Sequence, residues 1–117
     1  MRVLVVDDSR LSRMLLTKIV ADTIPDATVS EAGSGVEASE VTKTLDQVDI
    51  AILDYNMPGI SGSELFKRFD GSLGISKRVL LTTQVQDSVR SKAEAKGIML
   101  HIKPIDVGVL RPLLLGA

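Results

Sequence analysis

The sequence predicts an α/β fold: one doubly wound domain built around a five-stranded, all-parallel sheet. Three observations carry this expectation. Five short strand-like runs, four of them rich in Val, Ile and Leu, alternate along the chain with segments of helical periodicity. Two of the runs, Val3-Leu4-Val5-Val6 and Ile50-Ala51-Ile52-Leu53, are apolar at every position, the pattern of strands buried on both faces. The chain has 117 residues, so a single domain over residues 1–117 is expected, and no linker, repeat or low-complexity segment divides it. Strand–helix alternation implies βαβ units with right-handed crossovers.

The elements follow in order. Val3 to Val6 forms the first strand and ends at Asp7-Asp8-Ser9. The helix after it is expected to turn Leu11, Met14, Leu15 and Ile19 inward and to stop at Ile24-Pro25-Asp26. Ala27 to Ala32 reads as a more polar strand, hence nearer a sheet edge. Gly33-Ser34-Gly35 turns the chain into a helix carrying Ala38, Val41 and Leu45. Ile50 to Leu53 is the third strand, ending at Asp54. The turn Asn56-Met57-Pro58-Gly59 then leads to a short helix with Leu65, Phe66 and Phe69.

Val79 to Thr82 is the fourth strand, and Val85, Val89 and Ala93 mark the next helix at i, i+4, i+8. Met99 to Ile102 is the fifth strand, followed by Lys103-Pro104. The last helix holds Val107, Leu110, Leu113 and Leu114. In a helix starting at Asp106, Pro112 would lie past the free first turn and cost about 3 kcal/mol. A start near Gly108 is therefore expected, which leaves Pro112 among the first four unpaired N–H positions. That helix is then short or kinked, and the surface around it is reshaped.

Composition narrows the function classes. Hydrophobic residues make up 44% and charged residues 25%, a globular rather than a disordered profile. Fourteen Lys and Arg stand against fifteen Asp and Glu, a net charge of −1, so no polybasic nucleic-acid arm is expected. The chain has no cysteine, hence no disulfide framework or thiolate chemistry. His101 is the single histidine, too few for an imidazole metal cage. Three aromatics, Tyr55, Phe66 and Phe69, do not make a base-stacking surface. No signal-peptide core and no apolar stretch of about 18 residues is present, so the expected address is the cytoplasm, without membrane contact.

The fold class locates the chemistry. Ligands of open parallel sheets bind at the carboxyl ends of the strands. There the sequence places Asp7-Asp8, Asp54, Thr82-Thr83 and Lys103. Two carboxylates about 4 Å apart repel by roughly 4 kcal/mol at a surface-like dielectric, so the cluster must bind a cation or raise a pKa. Oxygen donors select a hard ion, Mg²⁺ with Mn²⁺ as a substitute. A lysine and a hydroxyl opposite that ion suit the oxygens of a phosphoryl group. The chemistry read from these residues is in-line attack of a carboxylate on phosphorus, giving an aspartyl phosphate.

Asp7-Asp8, the segment Leu53-Asp54-Tyr55-Asn56-Met57-Pro58-Gly59-Ile60-Ser61-Gly62, Leu81-Thr82-Thr83 and Lys103-Pro104 resemble the receiver domain of two-component response regulators. The resemblance spans essentially the whole chain, and the Asp54-to-Gly62 segment is its most specific part. It implies a flavodoxin-like sheet of order 2-1-3-4-5. It implies Asp54 as phosphoacceptor, served by a sensor histidine kinase, a histidine phosphotransfer protein or a small phosphodonor. Mg²⁺ would be held by Asp8 directly, by Asp7 largely through water, by Asp54 and by the backbone carbonyl of Asn56. Lys103 would pair with the phosphoryl oxygens, Thr83 would shift toward them, and Pro104 would follow a cis bond. The implied activity is a switch that changes binding to a downstream protein, not a turnover enzyme. Because nothing follows Ala117, a single-domain regulator is expected.

The sequence also departs from that pattern. Similar proteins carry an aromatic three residues before the lysine, where Leu100 stands, and Gly97 to Lys103 is one residue short. His101 lies on the Lys103 side of its strand by alternation and so does not replace the aromatic. Gln84, after Thr83, is long and polar where a small residue is usual.

Other readings stand beside this one. Asp7-Asp8-Ser9 suits a plain helix cap, Thr82 a plain strand residue, and His101 a half-buried structural one. Arg10 and Arg13 read as a solvated helix face flanking the kinase side of the site. Gly33-Ser34-Gly35-Val36-Glu37-Ala38 fits G-x-G-x-x-A, with Asp54 near the offset of about 20 residues for a ribose-binding acid. Its strand is polar, however, and the chain is short for two nucleotide-binding halves. An aspartate-nucleophile phosphatase would want a second acid where Asn56 stands. A receiver used unphosphorylated, as a docking module, is the remaining alternative.

Overall fold

Strands β1 (Arg2–Val6), β2 (Thr28–Ala32), β3 (Ile50–Asp54), β4 (Lys77–Thr82) and β5 (Ile98–Ile102) alternate with helices α1 (Arg10–Thr23), α2 (Gly35–Thr42), α3 (Gly62–Phe69), α4 (Asp87–Ala95) and α5 (Val107–Leu115) in the computed structural model. Residues 1–69, 73–83 and 86–116 are described. Gln84, Val85 and Ala117, each singled out above, lie outside the described residues. All pairings are parallel, and the order β2-β1-β3-β4-β5 is the one the resemblance implies. The polar strand β2 sits at an edge, as its composition predicts.

Period-two alternation sorts the strand residues into two cores. Leu4, Val6, Ala51, Leu53 and Leu80 face α2, α3 and α4, meeting Ala38, Leu65, Phe66, Phe69 and Ala93. Val3, Val5, Ile50, Ile52, Val79 and Leu81 face α1 and α5, meeting Leu16, Ile19, Val20, Leu110 and Leu114. Each fully buried Leu, Ile or Val contributes about 1.5–3 kcal/mol, so both layers are needed to hold the sheet in place. Among the described residues, no helix is long and apolar enough to cross a membrane.

Three details correct the sequence expectations. The inner face of α1 is Leu16, Ile19 and Val20, whereas Leu11, Met14 and Leu15 are exposed. Both sets repeat at helical spacing. Packing decides between them: Leu16, Ile19 and Val20 meet Val3, Val5, Ile50 and Ile52 of the sheet, while Ser9 Oγ, accepting from the Ser12 N–H at 3.3 Å, caps the helix start. Leu45 packs against the core but lies beyond the end of α2 at Thr42.

The third correction concerns α5, which is capped by Asp106 rather than near Gly108. The Asp106 carboxylate accepts from the Gly108 N–H at 2.8 Å, which places Pro112 inside the helix. Pro112 has no N–H for the Gly108 carbonyl four residues back. The end of the helix is held from outside instead: Lys77 Nζ donates to the Leu114 carbonyl at 2.8 Å and also to that of Gly116. Burial of Leu110 and Leu114 offsets what the proline costs.

Candidate functional site

Register alone brings the predicted residues together. Val6 pairs with Leu53, so Asp7 and Asp54 leave the ends of adjacent strands. Thr82 pairs with Ile102, so Thr83 and Lys103 do the same. Asp7, Asp54, Thr83 and Lys103 continue the alternation of Val5, Ile52, Leu81 and His101, and all four fall on the α1–α5 side of the sheet. The strand ends are anchored by hydrogen bonds from Asp7 N to Ala32 O at 3.1 Å, Tyr55 N to Leu81 O at 2.7 Å, and Lys103 N to Thr82 O at 2.7 Å.

Lys103 bridges two buried carboxylates. Its Nζ donates to Asp7 Oδ2 at 3.1 Å and to Asp54 Oδ2 at 3.2 Å. The other oxygens are engaged locally: Asp7 Oδ1 accepts from the Ser9 N–H at 2.9 Å and Asp54 Oδ1 from the Asn56 N–H at 3.1 Å. Burial, opposed by the Asn56 N–H and reinforced by the Asp7 charge, raises the Asp54 pKa above its usual 3.8, while Lys103 pulls it back in part. Burial alone would lower the Lys103 pKa, but the bonds and charges of Asp7 and Asp54 outweigh it and the net shift is upward. The two carboxylates thus hold Lys103 in its charged form, whereas for Asp54 burial outweighs the help that Lys103 gives.

One carboxylate oxygen each from Asp7, Asp8 and Asp54 lie within 4.8 Å of one another, with Asp8 exposed and the other two buried. Oxygens sharing one octahedral Mg²⁺ at 2.0–2.1 Å stand about 3–4 Å apart, so small side-chain rotations bring this set onto one ion. The donors are all hard oxygens, and one member faces solvent, where water ligands enter. A hard divalent cation fits.

Asn56 Nδ2 donates to Thr83 Oγ1 at 3.1 Å and so ties the loop after β3 to the end of β4. The Lys103–Pro104 peptide is cis, as the resemblance implies. Thr82 is buried at the end of β4. Leu100 packs half-buried against the α2–α4 core. His101 is buried rather than half-buried; its Nε2 accepts from the Asp106 N–H at 3.2 Å, away from Lys103.

Comparison with known proteins places the chain. A family model described as the response regulator receiver domain matches residues 3–114. The chain belongs to the response regulator receiver family. Among curated members, the response regulator UvrY of Escherichia coli (strain K12) is 32% identical over 95 residues, which cover 81% of this chain and 43% of that protein. The chain thus spans less than half the length of this relative. Among solved structures, chemotaxis protein CheY4 of Vibrio cholerae superposes with a TM-score of 0.81 at 28% identity, covering 97% of this chain and 94% of that one. The response regulator domain of Thermotoga maritima CheB gives 0.77 at 30% identity, covering 98% and 90%.

The other glycine-motif residues have structural employment within this receiver fold. Ser34 Oγ accepts from the Glu37 N–H at 3.1 Å and caps α2. A Cβ on Gly35 would stand 1.9 Å from Ile60 Cγ2, so this glycine admits the loop after β3. Sequence reasoning missed Arg13, which is not a solvated residue: Nη1 donates to the Asp7 carbonyl at 2.7 Å and Nε lies 3.8 Å from Glu31 Oε1. The signal was its spacing from Leu16 and Val20, at i+3 and i+7 on the inner face.

Proposed function

We propose that this receiver domain, spanning residues 1–117, accepts a phosphoryl group on Asp54 in a Mg²⁺-dependent reaction and thereby switches its binding to a partner protein. The observation that carries this reading is Lys103 Nζ held at 3.1 and 3.2 Å between Asp7 and Asp54, inside a three-carboxylate cluster. Asp7, Asp8, Asp54 and the carbonyl of Asn56 would hold the ion, with Mn²⁺ as its substitute. A bound Mg²⁺ supplies neutralisation of the carboxylates and polarises phosphoryl oxygens.

The chain's own residues do the rest. An Asp54 carboxylate oxygen attacks phosphorus in line; the new O–P bond forms as the bond to the donor's leaving group breaks. The donor is a phosphohistidine of a sensor kinase or phosphotransfer protein, or a small acyl phosphate. Lys103 turns its ammonium from the carboxylates to the incoming phosphoryl oxygens, a preplaced charge rather than a recruited one. The Thr83 hydroxyl exchanges Asn56 for a phosphoryl oxygen. The population then shifts between two arrangements of the surfaces around α4, β5 and α5, with Leu100 rather than an aromatic on that face. The domain is a switch consumed and reset by phosphoryl transfer, working in the cytoplasm on a downstream protein.

Beryllofluoride, a phosphoryl mimic, tests this reading by fluorine NMR. A bound signal that needs both Mg²⁺ and Asp54, with resonance changes reaching α5, is expected. Absence of that signal, with no Mg²⁺ binding, would support the unphosphorylated docking module instead.

A further inference from the structure

The loop that carries both acidic residues after β1 has to present Asp8 to the cluster while lying outside the sheet. Asp7 is fixed on its N-terminal side by the bond from its N–H to the Ala32 carbonyl at 3.1 Å. Its own carbonyl lies beyond the last strand pair, and its partner there is the Arg13 guanidinium, Nη1 donating at 2.7 Å. That carbonyl belongs to the peptide plane joining Asp7 to Asp8. Whatever fixes the plane fixes where the Asp8 side chain sets out.

Arg13 reaches this carbonyl from the first turns of α1, and its Nε lies 3.8 Å from Glu31 on the edge strand β2. The Arg13 side chain is only 21% exposed. Space for it is provided by Gly33, where a Cβ would stand 3.0 Å from Arg13 Nη1. A bare guanidinium beside a cation site would repel the ion. The Glu31 carboxylate offsets that charge, so the pair delivers geometry without an opposing field.

We infer that Arg13 is a positioning residue for the divalent-metal site: by holding the Asp7–Asp8 peptide it sets the Asp8 carboxylate for coordination, with Glu31 neutralising its charge. The inference rests on the Mg²⁺ reading of the site given above. Residues that orient metal ligands typically govern affinity by about 10- to 100-fold, and Arg13 acts on a single ligand, which places it at the lower end.

Calorimetric titration of the protein with MgCl₂ alone tests this, using wild type, Arg13→Ala and Arg13→Lys. Arg13→Ala is expected to weaken Mg²⁺ binding about tenfold. Arg13→Lys, whose ammonium reaches the carbonyl but cannot serve Glu31 with a second arm, is expected to fall in between. Phosphorylation by acetyl phosphate should follow suit: the Mg²⁺ concentration for half-maximal rate rises, while the rate at saturating Mg²⁺ stays near wild type. A merely structural role would lower thermal stability without this split. Wild-type affinity in a folded Arg13→Ala protein overturns the inference and leaves the site reading intact. Should Arg13→Ala not fold, wild-type affinity in Arg13→Met, which keeps the aliphatic stem but has no donor for the Asp7 carbonyl, overturns it. A wild type that binds no Mg²⁺ overturns both.

Discussion

The side-chain amide of Asn56 donates to the Thr83 hydroxyl at 3.1 Å, so the residue two places after Asp54 holds the hydroxyl at the end of β4. In the proposed switch that bond must break before Thr83 reaches a phosphoryl oxygen. A neutral hydrogen bond of this kind is worth about 1 kcal/mol net, or roughly fivefold in an equilibrium. Asn56→Ala leaves the backbone carbonyl in place and is expected to tighten beryllofluoride binding by up to that factor. Titration followed at the Thr83 amide resonance checks it; unchanged affinity would show that Thr83 is not restrained by Asn56.

Lys103 is the counter-ion for two buried carboxylates, with its side chain 17% exposed. Replacing it by Met keeps the aliphatic stem and leaves Asp7 and Asp54 facing each other. Breaking a buried pair by removing one partner costs about 3–5 kcal/mol. The loss is expected in metal-free protein and should shrink in saturating Mg²⁺, because the ion then neutralises the same carboxylates. Urea unfolding with and without Mg²⁺ measures both. An equal loss in the two conditions would contradict the shared electrostatic role.

His101 must be neutral to accept the Asp106 N–H at 3.2 Å, since a protonated imidazole has no acceptor. Burial lowers its pKa below the usual 6.5, with the Asp106 charge opposing in part. The unfolded chain therefore takes up the proton first on acidification. Stability from this group is complete above 6.5 and is lost as pH falls through the lower folded value. His101→Gln keeps an acceptor without titrating. The melting temperature of wild type should fall more steeply than that of His101→Gln between about pH 7 and 5. Asp54, whose raised pKa works in the opposite sense, is common to both proteins and drops out of the difference.

Pro112 lies inside α5, where an interior proline costs roughly 3 kcal/mol, less up to about 1 for the freedom it removes from the unfolded chain. Pro112→Ala restores an N–H toward the Gly108 carbonyl and is expected to stabilise the domain by about 2 kcal/mol. Denaturant midpoints decide it. A destabilised variant would mean that the packing of α5 depends on the ring itself.

The gathering of Asp7, Asp54, Thr83 and Lys103 was legible because strand alternation and parallel register are strict: once the strand ends are known, side and neighbour follow. Helix rotation is looser. Leu11, Met14 and Leu15 share a face as regular as that of Leu16, Ile19 and Val20, and only packing against the sheet, which is tertiary, separates them. Choosing the wrong face hid Arg13, whose charge reads as solvated until it is placed beside Leu16. The start of α5 was misplaced for a related reason. Local proline cost favoured Gly108, but the Asp106 cap, the His101 acceptor and the long-range Lys77 bonds to the helix end together outweigh it.

The central claim is that Asp54 itself takes the phosphoryl group. Intact mass of the protein after incubation with acetyl phosphate and Mg²⁺, run beside Asp54→Ala, tests it most directly. A single phosphoryl adduct on wild type, absent from Asp54→Ala and absent when Mg²⁺ is chelated, is the expected result. An adduct that persists in Asp54→Ala, or no adduct on the folded wild type with any phosphodonor, would contradict it.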